Sequence, residues 1–236
     1  MSILRYFAGN NISKVLYSSK KILNTHRYPI INYVIEDNQK NSVYNEYINL
    51  LPYLDSNYKI ALKLSSLEFD TGLIDNLIDH YKTKNIPVII DAEDNKNINK
   101  YRSITNELIY KYNKSDIQII KTYQMYRTDS LNELKDDIID SNKYNHILGT
   151  KIVRGAYFNS EKNNGHLFNK KSDTDDNYNN SIIHLYDVKN PFNIIATHNK
   201  FSLDFGSLLN KNDNFYFAHL LGMNESYINN FKQKNK

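Results

Sequence analysis

The 236-residue chain contains no cysteine and no tryptophan, and it has only four prolines and seven glycines. Without cysteine, disulfides, thiolate nucleophiles and cysteine-based zinc or iron–sulfur sites are excluded. Redox chemistry in such a chain would need a bound organic cofactor. No apolar run reaches the roughly 20 residues of a membrane-spanning helix. The net charge of +4 is too balanced to indicate nucleic-acid binding.

The first 35 residues are basic, with five lysines and arginines and no acidic residue. This composition is shared by mitochondrial transit peptides. The other interpretation is a folded, basic amphipathic helix around Ser13 to Leu23. We favour the folded helix because a motif described below includes this part of the chain.

Short apolar runs recur along the chain, most of them about 30 residues apart, which is the span of a βα unit. Nearly continuous apolar runs are typical of parallel strands that are buried on both faces. The predicted strands are Asn32–Glu36, Ile60–Ser65, Pro87–Asp91, Ile117–Tyr123, Thr150–Arg154, Phe192–Thr197 and Asn214–His219.

Helical patterns lie between these runs. Apolar residues from Leu73 to Tyr81 recur at helical spacing. Ser130 and Glu133 form a capping-box pattern ahead of another helix. Asp173 is expected to cap a third helix, whose predicted apolar face is Ile182, Ile183 and Tyr186.

Strand and helix alternate, so the chain is predicted to be α/β, a (β/α)₈ TIM-like barrel of about the usual size. We expect a single domain over 1–236, with a basic helical segment at 1–30 and the barrel at 31–231. Only seven strands are found, so the predicted barrel is incomplete and lacks an eighth strand and helix.

Polar side chains stand at the predicted C-terminal strand ends, where βα barrels carry their chemistry. The mixture suits a polar cofactor and an amino acid. These residues are Lys63, Ser65, Asp91, Glu93, Gln124, Tyr126, Arg154, Tyr157, Thr197, His198, Asn199 and His219.

Structural roles for these residues remain open alternatives. Lys63 lies in an apolar run and needs a carboxylate, which Asp91 on the next strand can supply. Asp91 could equally cap a helix, and Glu93 is interpreted as a solvated or capping acid. Lys151 and Arg154, three apart on a strand, are expected to point to opposite faces.

One segment, Lys151-Ile-Val-Arg-Gly-Ala-Tyr157, belongs to an ordered series of motifs. The others are Arg5–Gly9 (RYFAG), Val88–Glu93 (VIIDAE), Thr122–Tyr126 (TYQMY), Asp173–Tyr178 (DTDDNY), Ala196–Asn199 (ATHN) and Phe217–Met223 (FAHLLGM). In order and spacing, the series resembles the motifs of eukaryotic-type proline dehydrogenases. The resemblance covers nearly the whole chain.

The resemblance implies a barrel that binds FAD non-covalently and oxidises L-proline to Δ¹-pyrroline-5-carboxylate, the first step of proline catabolism. Hydride transfer to flavin N5 and a quinone as electron acceptor are implied with it. Lys63 and Asp91 match substrate-site positions, and Lys151 matches a basic residue near flavin N5, so these three are the expected catalytic residues. The expected cofactor-binding residues are Gln124, Lys151, Arg154, Gly155, Ala156, Tyr157, Lys171, Thr197 and His198.

The physical chemistry agrees with these implied roles. A cation near the flavin nitrogens stabilises the reduced, anionic ring. Gly155 would let the backbone approach a flat ring closely. Asp91, Gln124, Lys151 and His198 are expected to surround one isoalloxazine-shaped slot.

The chain departs from the family pattern after Met223. Relatives add an eighth strand and a helix with an arginine pair that holds the proline carboxylate, whereas here no arginine follows Arg154. Losing such a pair is expected to weaken substrate capture by about 10²- to 10⁴-fold. His219 replaces a glutamine found in many relatives.

Three alternatives follow from this departure. The chain is a divergent or truncated enzyme, a non-catalytic flavin-binding or regulatory relative that lacks the carboxylate clamp, or the product of a decayed gene. An active enzyme is expected in mitochondria, with peripheral membrane association left open. An inactive one is expected in the cytoplasm or has no assigned compartment.

Overall fold

A computed structural model of the chain describes residues 8–33, 40–163, 165–210 and 213–234. These residues fall into two compact units. The N-terminal unit is Ala8–Lys121 with Asn145–Ile147, and the C-terminal unit is Thr122–Tyr144 with Leu148–Lys236. Most of the RYFAG motif and positions 34–36 of the first predicted strand lie outside the described residues.

Helices and strands alternate in the N-terminal unit, which also holds two short 3₁₀ turns, Leu51–Tyr53 and Leu64–Leu67. The regular elements are α1 (Ile12–Leu23), β1 (Ile30–Asn32), α2 (Lys40–Leu50), β2 (Lys59–Leu62), α3 (Thr71–Lys82), β3 (Val88–Ile90), α4 (Ile98–Tyr112) and the first residues of β4 (Ile119–Gln124).

The same alternation continues in the C-terminal unit, which holds the last residues of β4. Its other elements are α5 (Ser130–Lys143), β5 (Gly149–Val153), α6 (Phe158–Glu161), α7 (Lys171–Asp187), β6 (Phe192–Ala196), α8 (Lys200–Leu209), β7 (Phe215–Ala218) and α9 (Glu225–Lys234).

Neighbouring strands of the sheet follow the order of the chain, from β1 to β7. In the N-terminal unit β1, β2, β3 and the start of β4 pair in parallel. In the C-terminal unit β5, β6 and β7 pair in parallel. Parallel strands in chain order with intervening helices are the arrangement of a (β/α) barrel. The predicted α/β barrel class, with seven strands, is therefore confirmed.

The apolar face of α3 contributes to the core of the N-terminal unit and packs against α2. Ile74, Leu77, Ile78 and Tyr81 of α3 are fully buried, as the periodicity predicted. Asp70 begins the helix, since its side chain accepts a hydrogen bond from Leu73 N at 3.1 Å. Such a cap satisfies one of the backbone N–H groups that a helix leaves without a partner.

The basic helix predicted near the N-terminus is present as α1. Asn11 caps it, with its side chain accepting a hydrogen bond from Lys14 N at 3.0 Å. The prediction of a folded helix over Ser13 to Leu23 is therefore confirmed. Among the residues the structure describes, no helix is both long and apolar enough to cross a membrane.

The second predicted strand is too long at its C-terminal end. β2 ends at Leu62, and Leu64–Leu67 form a 3₁₀ turn. Leu64 and Leu67 are fully buried in that turn. Their apolar side chains were therefore read as a continuation of the strand. Lys63 therefore follows the strand instead of lying inside it.

Two predicted helix starts are also wrong. Ser130 is the first residue of α5 and its hydroxyl donates to Arg127 O at 2.9 Å, so no capping box forms. α7 begins at Lys171, which places Asp173 in its first turn.

The buried face of α7 is rotated about the helix axis from the apolar face predicted for it. Tyr178, Ile182 and Leu185 are fully buried, whereas Ile183 is 39% exposed. The Tyr178 hydroxyl donates to Ile152 O at 3.3 Å, which joins the buried face of α7 to β5.

Candidate active site

Lys63 and Asp91, two predicted site residues of the N-terminal unit, directly follow the neighbouring strands β2 and β3. Asp91 follows β3 directly, and its backbone N–H donates to Leu62 O at 2.9 Å at the end of β2. The Asn32 side chain, at the end of β1, donates to Asp91 Oδ2 at 3.3 Å. Because the strands are parallel, three successive strand ends bring polar groups to one edge of the sheet.

Lys63 contacts a different carboxylate from the one expected. Its Nζ lies 3.8 Å from Glu93 Oε2, whereas its pairing with Asp91 remains a prediction. Glu93 is only 1% exposed and accepts hydrogen bonds from Ser65 N at 2.8 Å and Ser65 Oγ at 3.0 Å. The interpretation of Glu93 as a solvated acid is therefore wrong.

Burial makes ionisation of Glu93 less favourable than it is in water. Burial raises the pKa of this carboxyl above its usual 4.5, and the bonds from Ser65 and the Lys63 charge offset only part of that effect. A buried carboxylate held by two donors and one cation fixes the 3₁₀ turn that carries Ser65. The backbone leaves this turn through Glu68 and Phe69, both at positive φ.

The raised pKa of Glu93 predicts a pH dependence of stability that Glu93→Gln removes. The folded state holds this proton more tightly than the unfolded chain does. The stabilising contribution is therefore greatest below pH 4.5 and declines as pH rises through the raised pKa. The slope is at most about 1.4 kcal/mol per pH unit.

Urea unfolding of both proteins across this pH range is the measurement. The unfolding free energy of the wild type minus that of Glu93→Gln should shrink as pH rises. Glu107→Gln, at an exposed position of α4, is the matched control. Parallel pH profiles for wild type and Glu93→Gln would contradict the prediction.

In the C-terminal unit, β5 presents two different faces. Ile152 is fully buried and its carbonyl is bound by Tyr178 of α7. Lys151 and Val153, the alternate residues, are half-buried and lie on the other face. The Arg154 side chain turns toward α7, where its guanidinium stacks on the Tyr178 ring at 4.4 Å. Arg154 follows β5, which ends at Val153, and the opposite orientation of Lys151 stays a prediction from strand alternation.

The Arg154 guanidinium joins three segments. Its Nε donates to Asp175 Oδ1 at 2.7 Å, Nη1 to Thr197 Oγ1 at 2.6 Å and Nη2 to Ser202 Oγ at 3.0 Å. Asp175 also pairs with Lys171, one turn earlier on α7. Partial burial disfavours ionisation of Asp175, but the bonds from Lys171 and Arg154 outweigh it and hold its pKa below the usual value.

The residues after Arg154 form an open stretch of backbone. Gly155 and Ala156 are exposed, and Ala156 N donates to Gln124 Oε1 at 3.4 Å. Gly155 has φ +140°, and a Cβ at this position would overlap the ring of Tyr126. The flat ring that this glycine admits on its covered side is thus a side chain of the protein itself.

The ATHN segment at the end of β6 is held by its own side chains. Thr197 Oγ1 accepts from Asn199 N at 3.1 Å as well as from Arg154. His198 Nε2 accepts from Leu220 N at 3.0 Å, which places the proton of a neutral ring on Nδ1. Burial lowers the pKa of His198, so the neutral form predominates at neutral pH.

A pocket of about 310 Å³ lies beside Arg154. Its lining combines polar groups with the ring of Phe201, which is 65% exposed. The lining residues are Arg154, Ser172, Asp175, Asp176, Asn179, Asn199, Phe201 and Ser202. Among the described residues no cluster of histidines and acidic residues suitable for a metal ion occurs.

The structure brings predicted residues together within each unit. Arg154 contacts Thr197, and Gln124 contacts Ala156, whereas Lys171 and Arg154 both pair with Asp175. Sequence reasoning missed Asp175 as the partner of Arg154, although the DTDDNY motif contains it. Ser202 and the Ser65–Glu93 bonds gave no comparable signal.

A protein-family model described as proline dehydrogenase matches residues 19–236. The chain is similar to "Proline dehydrogenase 1, mitochondrial" of Dictyostelium discoideum, 32% identical over 161 residues, or 59% of this chain and 28% of that protein. It is similar to "Probable proline dehydrogenase, mitochondrial" of Schizosaccharomyces pombe, 31% identical over 65% of this chain and 32% of that protein. The chain thus spans less than a third of the length of these two relatives.

Solved structures show the same fold. Proline utilization A (PutA) from Bdellovibrio bacteriovorus, inactivated by N-propargylglycine, matches with a TM-score of 0.87 at 16% identity. The match covers 97% of this chain and 29% of that protein. A mutant of PutA from Bradyrhizobium japonicum matches with a TM-score of 0.83 at 16% identity, over 98% of this chain and 27% of that one.

Proposed function

Because the chain belongs to the proline dehydrogenase family, we propose that it oxidises L-proline to Δ¹-pyrroline-5-carboxylate with FAD as the electron acceptor. A ring C–N bond of proline becomes C=N, as one hydrogen leaves with its electron pair and the nitrogen gives up a proton. The observation that carries the proposal is the end of β5. Lys151 lies in β5 and the exposed Gly155–Ala156 backbone follows it. The Gln124 amide, at the end of β4, accepts a hydrogen bond from Ala156 N.

The donors of the C-terminal unit fit a flavin in their chemistry. FAD, when bound, supplies the acceptor for the electron pair that leaves proline. The Gln124 amide, the Lys151 ammonium and the Nδ1–H of His198 are suitable partners for its ring and phosphates. The pocket beside Arg154 contains the carboxyl groups of Asp175 and Asp176, so we do not assign the pyrophosphate to it.

Arg154 and Thr197 are proposed to position the backbone of Gly155, Ala156 and Tyr157 through their bonds to other parts of the protein. Their mutual bond, together with Asp175 and Ser202, fixes where β5 and β6 end. We propose that the backbone of Gly155, Ala156 and Tyr157 lies along the cofactor, and that Lys171 adds positive charge nearby. Lys171 is 75% exposed, so solvent screens its contribution.

In the N-terminal unit, Lys63 and Asp91 are the proposed substrate residues. Lys63 is 43% exposed and thus accessible to a carboxylate, while Glu93 beneath it fixes its direction. Asp91, with one oxygen bound to Asn32, suits the secondary ammonium of proline. A quinone electron acceptor and a mitochondrial location complete the proposal, in keeping with the mitochondrial names of relatives.

Anaerobic titration of the purified chain tests the proposal. The protein is expected to bind FAD, and added L-proline is expected to bleach the visible flavin absorbance. D-proline is the matched control. N-propargylglycine, which inactivates the Bdellovibrio PutA, is expected to abolish the bleaching irreversibly.

The outcomes separate the proposed function from its alternative. If FAD binds but L-proline leaves the absorbance unchanged, the chain is a flavin-binding or regulatory relative without catalysis. If no flavin binds at any concentration tried, the proposed function is excluded and the alternative loses its ligand.

A further inference from the structure

After β4 the chain continues alongside the end of β5. Met125 N donates to Val153 O at 2.8 Å, and Tyr126 N donates to Arg154 O at 2.7 Å. The ladder between the two strands thus extends to Arg154, past the last residue of β5. The backbone that precedes Gly155 is therefore held directly by Tyr126.

The Tyr126 ring covers one side of Gly155. Tyr126 is only 4% exposed, and a Cβ on Gly155 would overlap three of its ring atoms. The other side of Gly155 and the following Ala156 are exposed. The ring thus forms a floor beneath the backbone segment that carries the RGAY motif.

The far end of the ring is tied to a buried carboxylate. The Tyr126 hydroxyl donates to Glu161 Oε2 at 2.5 Å. The Glu161 side chain is 2% exposed and lies 3.9 Å from Arg127 Nη1, which is buried as well. A buried carboxylate is costly unless its partners are fixed, so this bond determines the direction of the Tyr126 side chain.

The backbone of Tyr126 is fixed by a further segment. Phe168 N donates to Tyr126 O at 3.0 Å, and Thr128 N donates to His166 O at 3.0 Å. Arg127 and Leu167 form an antiparallel bridge between these pairs. The ring, hydroxyl and backbone of Tyr126 are therefore all held, and through them Arg154 O and Gly155.

From these contacts we infer that Tyr126 is a positioning residue, which holds the segment Arg154–Tyr157 in the conformation that receives the cofactor. The inference rests on the proposed function for the identity of that cofactor. Its structural part, the fixing of Arg154–Tyr157 by Tyr126 and Glu161, does not depend on FAD. Tyr126 acts on the proposed reaction through this segment.

The test compares Tyr126→Phe with Tyr123→Phe. Both tyrosines are on or next to β4 and both donate to a carboxylate, since Tyr123 OH binds Asp137 Oδ2 of α5 at 2.7 Å. Each variant loses one hydrogen bond to a carboxylate. Tyr126→Phe also loses a backbone hydrogen bond from Tyr157 and leaves the more deeply buried carboxylate, so its loss of thermal stability is expected to be the larger. Only Tyr126→Phe should loosen the Arg154–Tyr157 segment, because Tyr123 bonds to a different helix.

Two readouts follow for each variant. Amide hydrogen exchange, measured by mass spectrometry without flavin, is expected to rise about fivefold or more in peptides covering 154–168 of Tyr126→Phe. The dissociation constant for FAD is expected to rise about tenfold. Tyr123→Phe should leave both close to wild type. If Tyr126→Phe does not fold, Glu161→Ala removes the same bond from the other side.

Two results overturn the inference. One is unchanged exchange at 154–168 in Tyr126→Phe, and the other is an equal change in Tyr123→Phe. If the wild type takes up no FAD, the proposed function fails, and the exchange comparison still decides whether Tyr126 fixes the segment.

Discussion

Lys151→Met is expected to slow the bleaching of flavin by L-proline about 10²- to 10³-fold, the usual effect of removing one preorganised donor from developing charge. Lys151 is half-buried in β5, where it lies opposite Ile194 of β6 in the parallel pairing. In the proposed function its ammonium lies close to the cofactor before negative charge develops there. Methionine retains the length of the side chain and removes only the charge.

The measurement is anaerobic stopped-flow absorbance at saturating L-proline with FAD bound. Lys151→Arg keeps the cation and is expected to stay within about tenfold of wild type. Lys135→Met, at a similarly half-buried lysine of α5, controls for loss of a lysine elsewhere in the unit. A rate for Lys151→Met within about threefold of wild type would rule out this electrostatic role.

Gly155→Ala is expected to destabilise the flavin-free protein by about 3 kcal/mol or more. Two causes add together. The φ of +140° is one that a residue with a Cβ rarely adopts, and the new methyl group overlaps the ring of Tyr126. If the glycine served only to admit a flavin, the flavin-free protein would lose much less. Urea unfolding without FAD therefore distinguishes the two explanations.

Gly165→Ala is the matched control. Gly165 also has positive φ, but among the described residues, apart from its chain neighbours, no atom lies within 4 Å of the position its Cβ would take. The control should lose only the left-handed backbone preference of glycine, about 1–2 kcal/mol. Equal losses at the two glycines would show that contact with Tyr126 contributes nothing.

The strand positions could be predicted because the strands are continuous apolar runs. β3, β5, β6 and β7 lie within one or two residues of their predicted bounds. β2 was predicted too long because buried leucines in a 3₁₀ turn have the same apolar pattern as a strand. Sequence periodicity reports burial, and it does not distinguish the backbone conformations that achieve burial.

The partners of the site residues were harder to predict, because they depend on contacts between distant segments. Glu93 was expected to be a solvated or capping acid, yet it is buried and bonds to Ser65 of the 3₁₀ turn. Gly155 was expected to let the backbone approach the flavin ring, which stays a prediction. The ring against its covered side is that of Tyr126, 29 positions earlier. Neither contact has a local sequence signal.

The hydrogen bonds of the Arg154 guanidinium also limit which sequences can evolve at this site. One planar guanidinium bonds Asp175, Thr197 and Ser202 at once. A lysine could satisfy one of them and would abandon the rest. Substitution of Arg154 therefore requires compensating substitutions at its partner positions. Positions 154, 175, 197 and 202 should covary across the family as a group.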